Sequence, residues 1–356
     1  MKRLLLILFL LLLIPFPVSA SNNIIYLTST ANRNYQGEFI NKTFESSLAA
    51  DGDLGKLVYQ PLLRPRVWVV DAALIEDVKA LADQNSATAK NWLDQLILTS
   101  RGDSIYATAY GNPDVTYLKS LAPSELNFYY LVGQQHLEVL LMRNLESEKG
   151  SGYSYKRANI NNELRTFFNQ SRKQFTLIST VVNPREVESD RARIGQLFNP
   201  QLSSSARTEL LRNFELGQPE VISKLRIVSG RYRITAANQK MPITVVNDFG
   251  APAKVDLFFK PMNNRVVFPE YRQITLNPKS RIQISVPIKT IAAGDTMVIA
   301  RFENGKGDTV GETGELDISS TIISPTISRF TTGAGIVLVL AAIAQSVRRV
   351  RKSRKA

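Results

Sequence analysis

Cysteine is absent from this 356-residue sequence, and histidine occurs once, at His136. The first absence excludes disulfide frameworks, thiol nucleophiles, thiolate zinc sites and iron–sulfur clusters, and the second excludes a multi-histidine metal centre. No cofactor is expected. No GxSxG elbow, P-loop, HExxH or dinucleotide fingerprint occurs either. Acidic residues are outnumbered, with 31 Asp and Glu against 44 Lys and Arg, for a formal net charge of +13. Much of that excess sits at the chain ends: without Lys2, Arg3 and six tail residues, positions 21–347 keep 36 basic against 31 acidic residues, or +5. A nucleic-acid reader needs a basic stripe with stacking aromatics on its folded part, and none is present, so no nucleic-acid partner is expected. The remaining composition, 44% hydrophobic and 21% charged, is that of a globular chain long enough for two domains.

Two long hydrophobic runs set the expected topology. Lys2 and Arg3 precede the apolar run Leu4 to Ile14, and Val18-Ser19-Ala20 offers small residues for cleavage, so residues 1–20 read as a secretory signal peptide. An uncleaved anchor is the alternative. Residues 330–347 carry no charge, which is about the minimum length for a transmembrane helix. Arg348, Arg349, Arg351, Lys352, Arg354 and Lys355 follow at once, so residues 348–356 form a basic tail placed in the cytoplasm by the positive-inside rule and in reach of anionic lipid. The expected location is a single-pass plasma-membrane protein with its bulk outside the cytoplasm and membrane lipids among its partners.

Residues 21–60, rich in Asn, Gly, Ser and Thr with a DGDLG turn at 51–55, read as an N-terminal segment or linker. Residues 61–220 then read as a small or truncated, barrel-like α/β domain. Arg66 to Asp71 and Ser104 to Ala109 are strand-like, each followed by helical periodicity, including a long helix from Pro123 with Leu126, Tyr130, Leu137, Leu141 and Leu145 on one face. GSGYS at 150–154 breaks the pattern, and a helix near 161–169, a strand from Gln174 to Val181 and a helix near 206–216 complete the domain.

Ligands of open parallel sheets collect at the carboxyl ends of the strands, where Asp71 and the loop Tyr110 to Asp114 fall. Asp71 and Asp114 are therefore the candidate catalytic pair, since two carboxylates can divide acid and base roles. The competing assignment is that each caps the helix after it. Trp68, Tyr106 and Tyr110 are the candidate ligand-binding aromatics, against roles in the core. His136 lies beside an apolar stripe and reads as structural, Arg101-Gly102-Asp103 reads as a turn, and Asn41 and Asn169 begin sequons relevant only to eukaryotic secretion.

Residues 223–322 change texture. Ile282, Ile284, Val286 and Ile288 alternate with polar residues, as do Val255, Leu257 and Phe259, and turns such as NDFGAP and NPKS separate further short strands. The expectation is an Ig-like antiparallel β-sandwich without a disulfide.

Pro242 to Asp248, Lys254 to Phe259, Asn277 to Ser280, Ile284 to Pro287, Ala292 to Gly294 and the Arg-rich C-terminus resemble an actinobacterial family of membrane-anchored cell-envelope proteins. That family has no established activity and is often encoded beside the lipid II flippase. VWVVDAALI and YGNPD resemble its VDPALL and PYGDPD segments, with Ala72, Ala109 and Asn112 replacing Pro, Pro and Asp. The resemblance covers most of residues 60–350 and implies an envelope location but no substrate. The functional expectation is a non-enzymatic scaffold or accessory protein of envelope assembly, partnered by membrane proteins or cell-wall glycan. The alternatives are a metal-free glycosidase-like enzyme, a degenerate deacetylase-like domain and a glycan-binding module.

Overall fold

A computed structural model describes residues 23–146, 157–321 and 333–345. The signal peptide, the GSGYS break and the basic tail lie outside the described residues. The described residues form two compact units, one comprising those up to Asn169 with Glu188–Gly217 and the other Gln170–Val187 with those from Gln218 onward.

The first unit is built on a parallel sheet in the order β1-β2-β3, comprising β1 (Asn23–Leu27), β2 (Arg66–Val70) and β3 (Ser104–Ala107). β1 pairs in parallel with β2 from Asn23 opposite Arg66 to Leu27 opposite Val70, so residues expected as a linker supply a strand. Two helices follow it, α1 (Phe44–Leu48) and α2 (Asp53–Tyr59), and the DGDLG segment runs into α2. Phe44, Leu48 and Val58 are buried. The linker reading failed because polar residues dominate this stretch by number, while its few apolar residues are spaced to face inward.

β2 leads into α3 (Ala72–Asp83), and Ser86 caps α4 (Ala87–Thr99) by accepting the Ala89 N–H at 3.1 Å. After β3 come α5 (Val115–Leu121) and α6 (Pro123–Leu141), which has Pro123 in its first turn as expected. Its buried face carries Leu126, Tyr129, Val132, Leu137 and Leu141, with Tyr129 inward in place of Tyr130.

The expected strand Gln174 to Val181 is instead helical for most of its length, within α7 (Asn162–Ile178). Leu164, Phe168, Ser171, Phe175 and Ile178 recur at intervals of three and four and are all buried. That period outweighs the β-branched and aromatic content that suggested a strand. The short α8 (Glu188–Arg193) and the longer α9 (Ser204–Ser223) follow, and α7 and α9 each give residues to both units.

The second unit contains β4 (Leu225–Ile227), β5 (Gly230–Ile234), β6 (Asn238–Asn247), β7 (Ala253–Pro261), β8 (Val266–Val267), β9 (Tyr271–Leu276), β10 (Ser280–Thr290), β11 (Gly294–Glu303) and β12 (Thr309–Ser320). β4 pairs with both β6 and β12, joining the strands in the order β8-β10-β6-β4-β12-β11-β7-β9, with β5 beside β12. The outcome is one curled, half-barrel sheet where two separate layers were expected. The Tyr271 hydroxyl of β9 donates to the Ser285 carbonyl of β10 at 3.2 Å, so strands near the two ends of the sheet meet. The alternation holds for Val255, Leu257, Phe259, Val286 and Ile288, which are buried, whereas Ile282 is 38% exposed. Among the described residues, β8 alone pairs with β10 on its outer side, at Lys289 and Thr290, and no described strand pairs with the start of β10 there.

This unit takes in more than the expected residues 223–322. The Lys254 N–H donates to the Val181 carbonyl at 2.8 Å, and the Asn304 side chain donates to Thr180 Oγ1 at 3.2 Å. Residues 333–345 form an exposed helix of Gly, Ala, Ile, Val and Leu that ends in Gln345. No helix among the described residues is long and apolar enough to cross a membrane, and positions 330–332 and 346–347 of the expected span lie outside them.

Candidate functional site

Asp71 directly follows β2, which points its carboxylate toward the loop after β3. Its Oδ1 accepts the Ala73 N–H at 3.1 Å, capping α3, and the Gly111 N–H at 2.9 Å. The residue is 2% exposed, and burial raises its carboxyl from 3.8 to about 7, against the lowering effect of the two amide bonds. Asp114, also buried, caps α5 through the Tyr117 N–H at 2.9 Å and binds the Ala158 N–H at 2.9 Å. Each carboxylate is thus engaged with backbone amides.

Close packing seals this end of the sheet. Gly133 of α6 lies against the turn after β3, where a Cβ would come within 2.6 Å of the Thr108 carbonyl oxygen. Gly111 has φ +77°, and its added Cβ would strike Gln196 at 2.6 Å. The Asn199 amide donates to the Gly111 carbonyl at 3.0 Å and the Ser29 carbonyl at 2.8 Å, stitching three segments together.

The candidate aromatics are largely unavailable as platforms. Trp68 is fully buried with its Nε1 donating to Asp103 at 2.9 Å, and Tyr110 is 2% exposed. Tyr106 is half-buried.

The structure assembles a different ionisable cluster nearby. Glu76 of α3 accepts the Tyr110 hydroxyl at 2.6 Å and pairs with His136 Nδ1 of α6 at 2.5 Å. His136 Nε2 lies 3.5 Å from Glu188 of α8, and its ring meets Tyr110 edge-on at 5.8 Å between centroids. The Glu76 hydrogen bond raises the His136 pKa above 6.5, against partial burial, with Glu188 adding to the rise. The side chains of Glu76, His136 and Glu188 keep 24%, 22% and 28% exposure. Deeper in, Asp77 accepts the Asn32 amide at 3.0 Å and Arg33 Nε at 2.6 Å, and burial raises its carboxyl.

Sequence reading missed this group. Asp77 did leave a signal, being three residues after Leu74 and one before Val78 on the apolar face of α3. Glu76 and His136 are sixty residues apart, and only packing unites them. Among the described residues no group of three His, Asp or Glu side chains could hold a metal ion.

A family of unknown function, DUF6049, matches residues 169–355. The chain belongs to this family. The DUF6049 match takes in the β unit and leaves Asp71, Asp114 and the His136 cluster outside it. No curated protein matches. Solved structures similar to part of the chain include WR4, a C. elegans member of the MSP family, at 9% identity over 28% of this chain and 99% of that one, with a TM-score of 0.22. Native E. coli alpha-2-macroglobulin matches at 12% identity over 28% of this chain and 6% of its own, with a TM-score of 0.22. The E. coli chaperone DraB matches at 12% identity over 27% of this chain and 55% of its own, with a TM-score of 0.20. Scores this low assign neither fold nor function to this DUF6049 member.

Proposed function

We propose that the protein is a non-enzymatic, membrane-anchored scaffold or accessory protein of bacterial cell-envelope assembly, with its two units outside the cytoplasm. The supporting observation is the closed carboxyl end of the parallel sheet. Asp71 and Asp114 are buried there on backbone amides, so neither faces an open cleft in which it could act on a substrate. The uncharged stretch 330–347 and the basic residues after it support the anchor, and the exposed apolar side chains of the helix over 333–345 suit a lipid surrounding. The envelope role draws on the sequence resemblance. The half-exposed Glu76–His136–Glu188 group favours a second reading, a metal-free carbohydrate-active enzyme working from that cluster.

The test is envelope integrity in cells carrying matched levels of each variant. A scaffold tolerates Asp71→Asn, Asp114→Asn and Glu76→Gln with His136→Gln, and fails when residues 329–356 are deleted. Loss of function from the Glu76 and His136 pair in a stably folded protein, with the anchor deletion tolerated, would replace the scaffold with the enzyme.

A further inference from the structure

The β unit has two unlike poles. At one pole lie Thr321, where β12 has just ended, and the turns 235–237, 262–265 and 291–293. Hydrogen bonds hold these segments together: Thr321 N–H to the Ile234 carbonyl at 3.0 Å, Thr290 N–H to Ala237 at 2.8 Å, Ile291 N–H to Arg265 at 2.7 Å and Met262 N–H to Met297 at 2.9 Å. The three turns read TAA, MNNR and IAA and contain no acidic residue. Met262 is 62% exposed and Ile291 56%. Arg233, Arg265 and Lys289 stand exposed around them.

Exposed Asp295 follows the 291–293 turn by two residues, with Arg265 donating to its carbonyl at 3.0 Å, and Asp317 is 3.9 Å from Arg231. A groove of 790 Å³ opens beside the pole with Arg231, Arg233, Asn263, Asp295 and Asp317 in its wall, and a second of 560 Å³ is lined by Lys240, Phe268 and Lys289. The opposite pole carries turns such as Asp248–Pro252 and Asn304–Asp308, with Asp248, Asp308, Glu312, Lys279 and Lys306 among the exposed or half-exposed groups. β12, 12 residues long, separates the poles by roughly 40 Å.

We propose that the Met262–Ile291 pole rests on the surface of an anionic lipid bilayer, with Met262 and Ile291 entering the headgroup boundary and Arg233, Arg265 and Lys289 facing lipid phosphates. The occupant follows from where the chain goes. Thr321 leaves from this pole, and residues 322–332 precede the exposed apolar helix over 333–345. Those intervening residues can span at most roughly 40 Å, so the helix tethers this pole close to whatever the helix enters. Apolar side chains ringed by basic ones are the chemistry that holds a protein surface against anionic lipid, because the methylenes enter the boundary while the charges stay with the phosphates. The inference rests on the anchor reading of residues 330–347.

The lack of cysteine makes the test clean. The full chain carrying one new thiol at Met262→Cys, Ile291→Cys or, at the opposite pole, Lys306→Cys is labelled with the environment-sensitive fluorophore NBD. It is then reconstituted into vesicles of phosphatidylcholine and phosphatidylglycerol. The expected result is that all three proteins float with the vesicles, while only the labels at 262 and 291 shift to shorter wavelength and lose emission to headgroup-level doxyl lipid. Replacing Arg233, Arg265 and Lys289 together by Ser should reduce that loss in anionic vesicles and leave flotation intact. Flotation with all three labels alike would overturn the inference and spare the anchor. Failure to float would overturn the anchor reading and the inference with it.

Discussion

Burial gives Asp71 an unusual thermodynamic position. Its folded carboxyl, at about 7, holds a proton more tightly than the unfolded one at 3.8, so the stability tied to that proton is fullest below 3.8 and is lost as pH rises toward 7. The difference is on the order of 4 kcal/mol. His136 acts in the same direction, because its raised pKa makes the charged imidazole stabilising below 6.5 and the benefit fades as pH climbs through the folded value. Asn at position 71 keeps an oxygen for the Ala73 and Gly111 N–H groups and carries no charge to desolvate. Asp71→Asn should therefore raise the urea midpoint of the first unit more at pH 8 than at pH 4.5. The chain's two tryptophans, Trp68 and Trp92, both lie in that unit, so their fluorescence reports it selectively. An equal effect at both pH values would contradict a buried, proton-holding carboxyl.

Single elements explain where pattern reading succeeded and where it slipped. In β10 the period of two identifies the inward residues, yet their depth depends on neighbours along the sheet: Val286 is fully buried, while Ile282 lies where no described strand covers the outer edge. An aspartate at 286 must be desolvated in the core, so Val286→Asp should unfold the β unit. Ile284→Asp, at a half-buried position, should destabilise it less, and Gln283→Asp should leave its thermal transition unchanged. Circular dichroism melts of the three variants supply the comparison, and similar losses from Ile284→Asp and Val286→Asp would show that the edge is covered. In α7 the heptad-like stripe from Leu164 to Ile178 was present in the sequence all along. Its β-prone residues Phe175, Thr176 and Ile178 masked it because propensity is weaker than burial in selecting the backbone.

At the scale of the whole molecule, the division of the chain is discontinuous. Residues 170–187 belong with the β strands, through Val181 on Lys254, Thr180 on Asn304 and Glu186 accepting the Gly250 N–H at 2.8 Å. A fragment of residues 223–322 lacks these partners, leaving the Lys254 N–H to water, removing one of the two bonds of the Asn304 amide and uncovering part of the sheet. It should melt at a lower temperature than a fragment of residues 157–322, as measured by circular dichroism. Equal melting temperatures would mean that residues 170–187 add nothing to the β unit.

Local pattern alone was enough for several features: strands starting at Arg66 and Ser104, helix caps at Asp71 and Asp114, Pro123 opening a helix, and alternation in β7 and β10. Each of these depends on residues within one or two turns of one another, where spacing carries the physics. Tertiary structure alone recruited β1 from an apparent linker, closed the sheet end with Gly133 and Asn199, and joined the β strands through β4 into one curled sheet. It also brought Glu76, His136 and Glu188 together from three helices, and gathered Met262, Ile291 and Thr321 at one pole. Those outcomes depend on which apolar faces bury one another across long stretches of chain, and no local spacing encodes that choice.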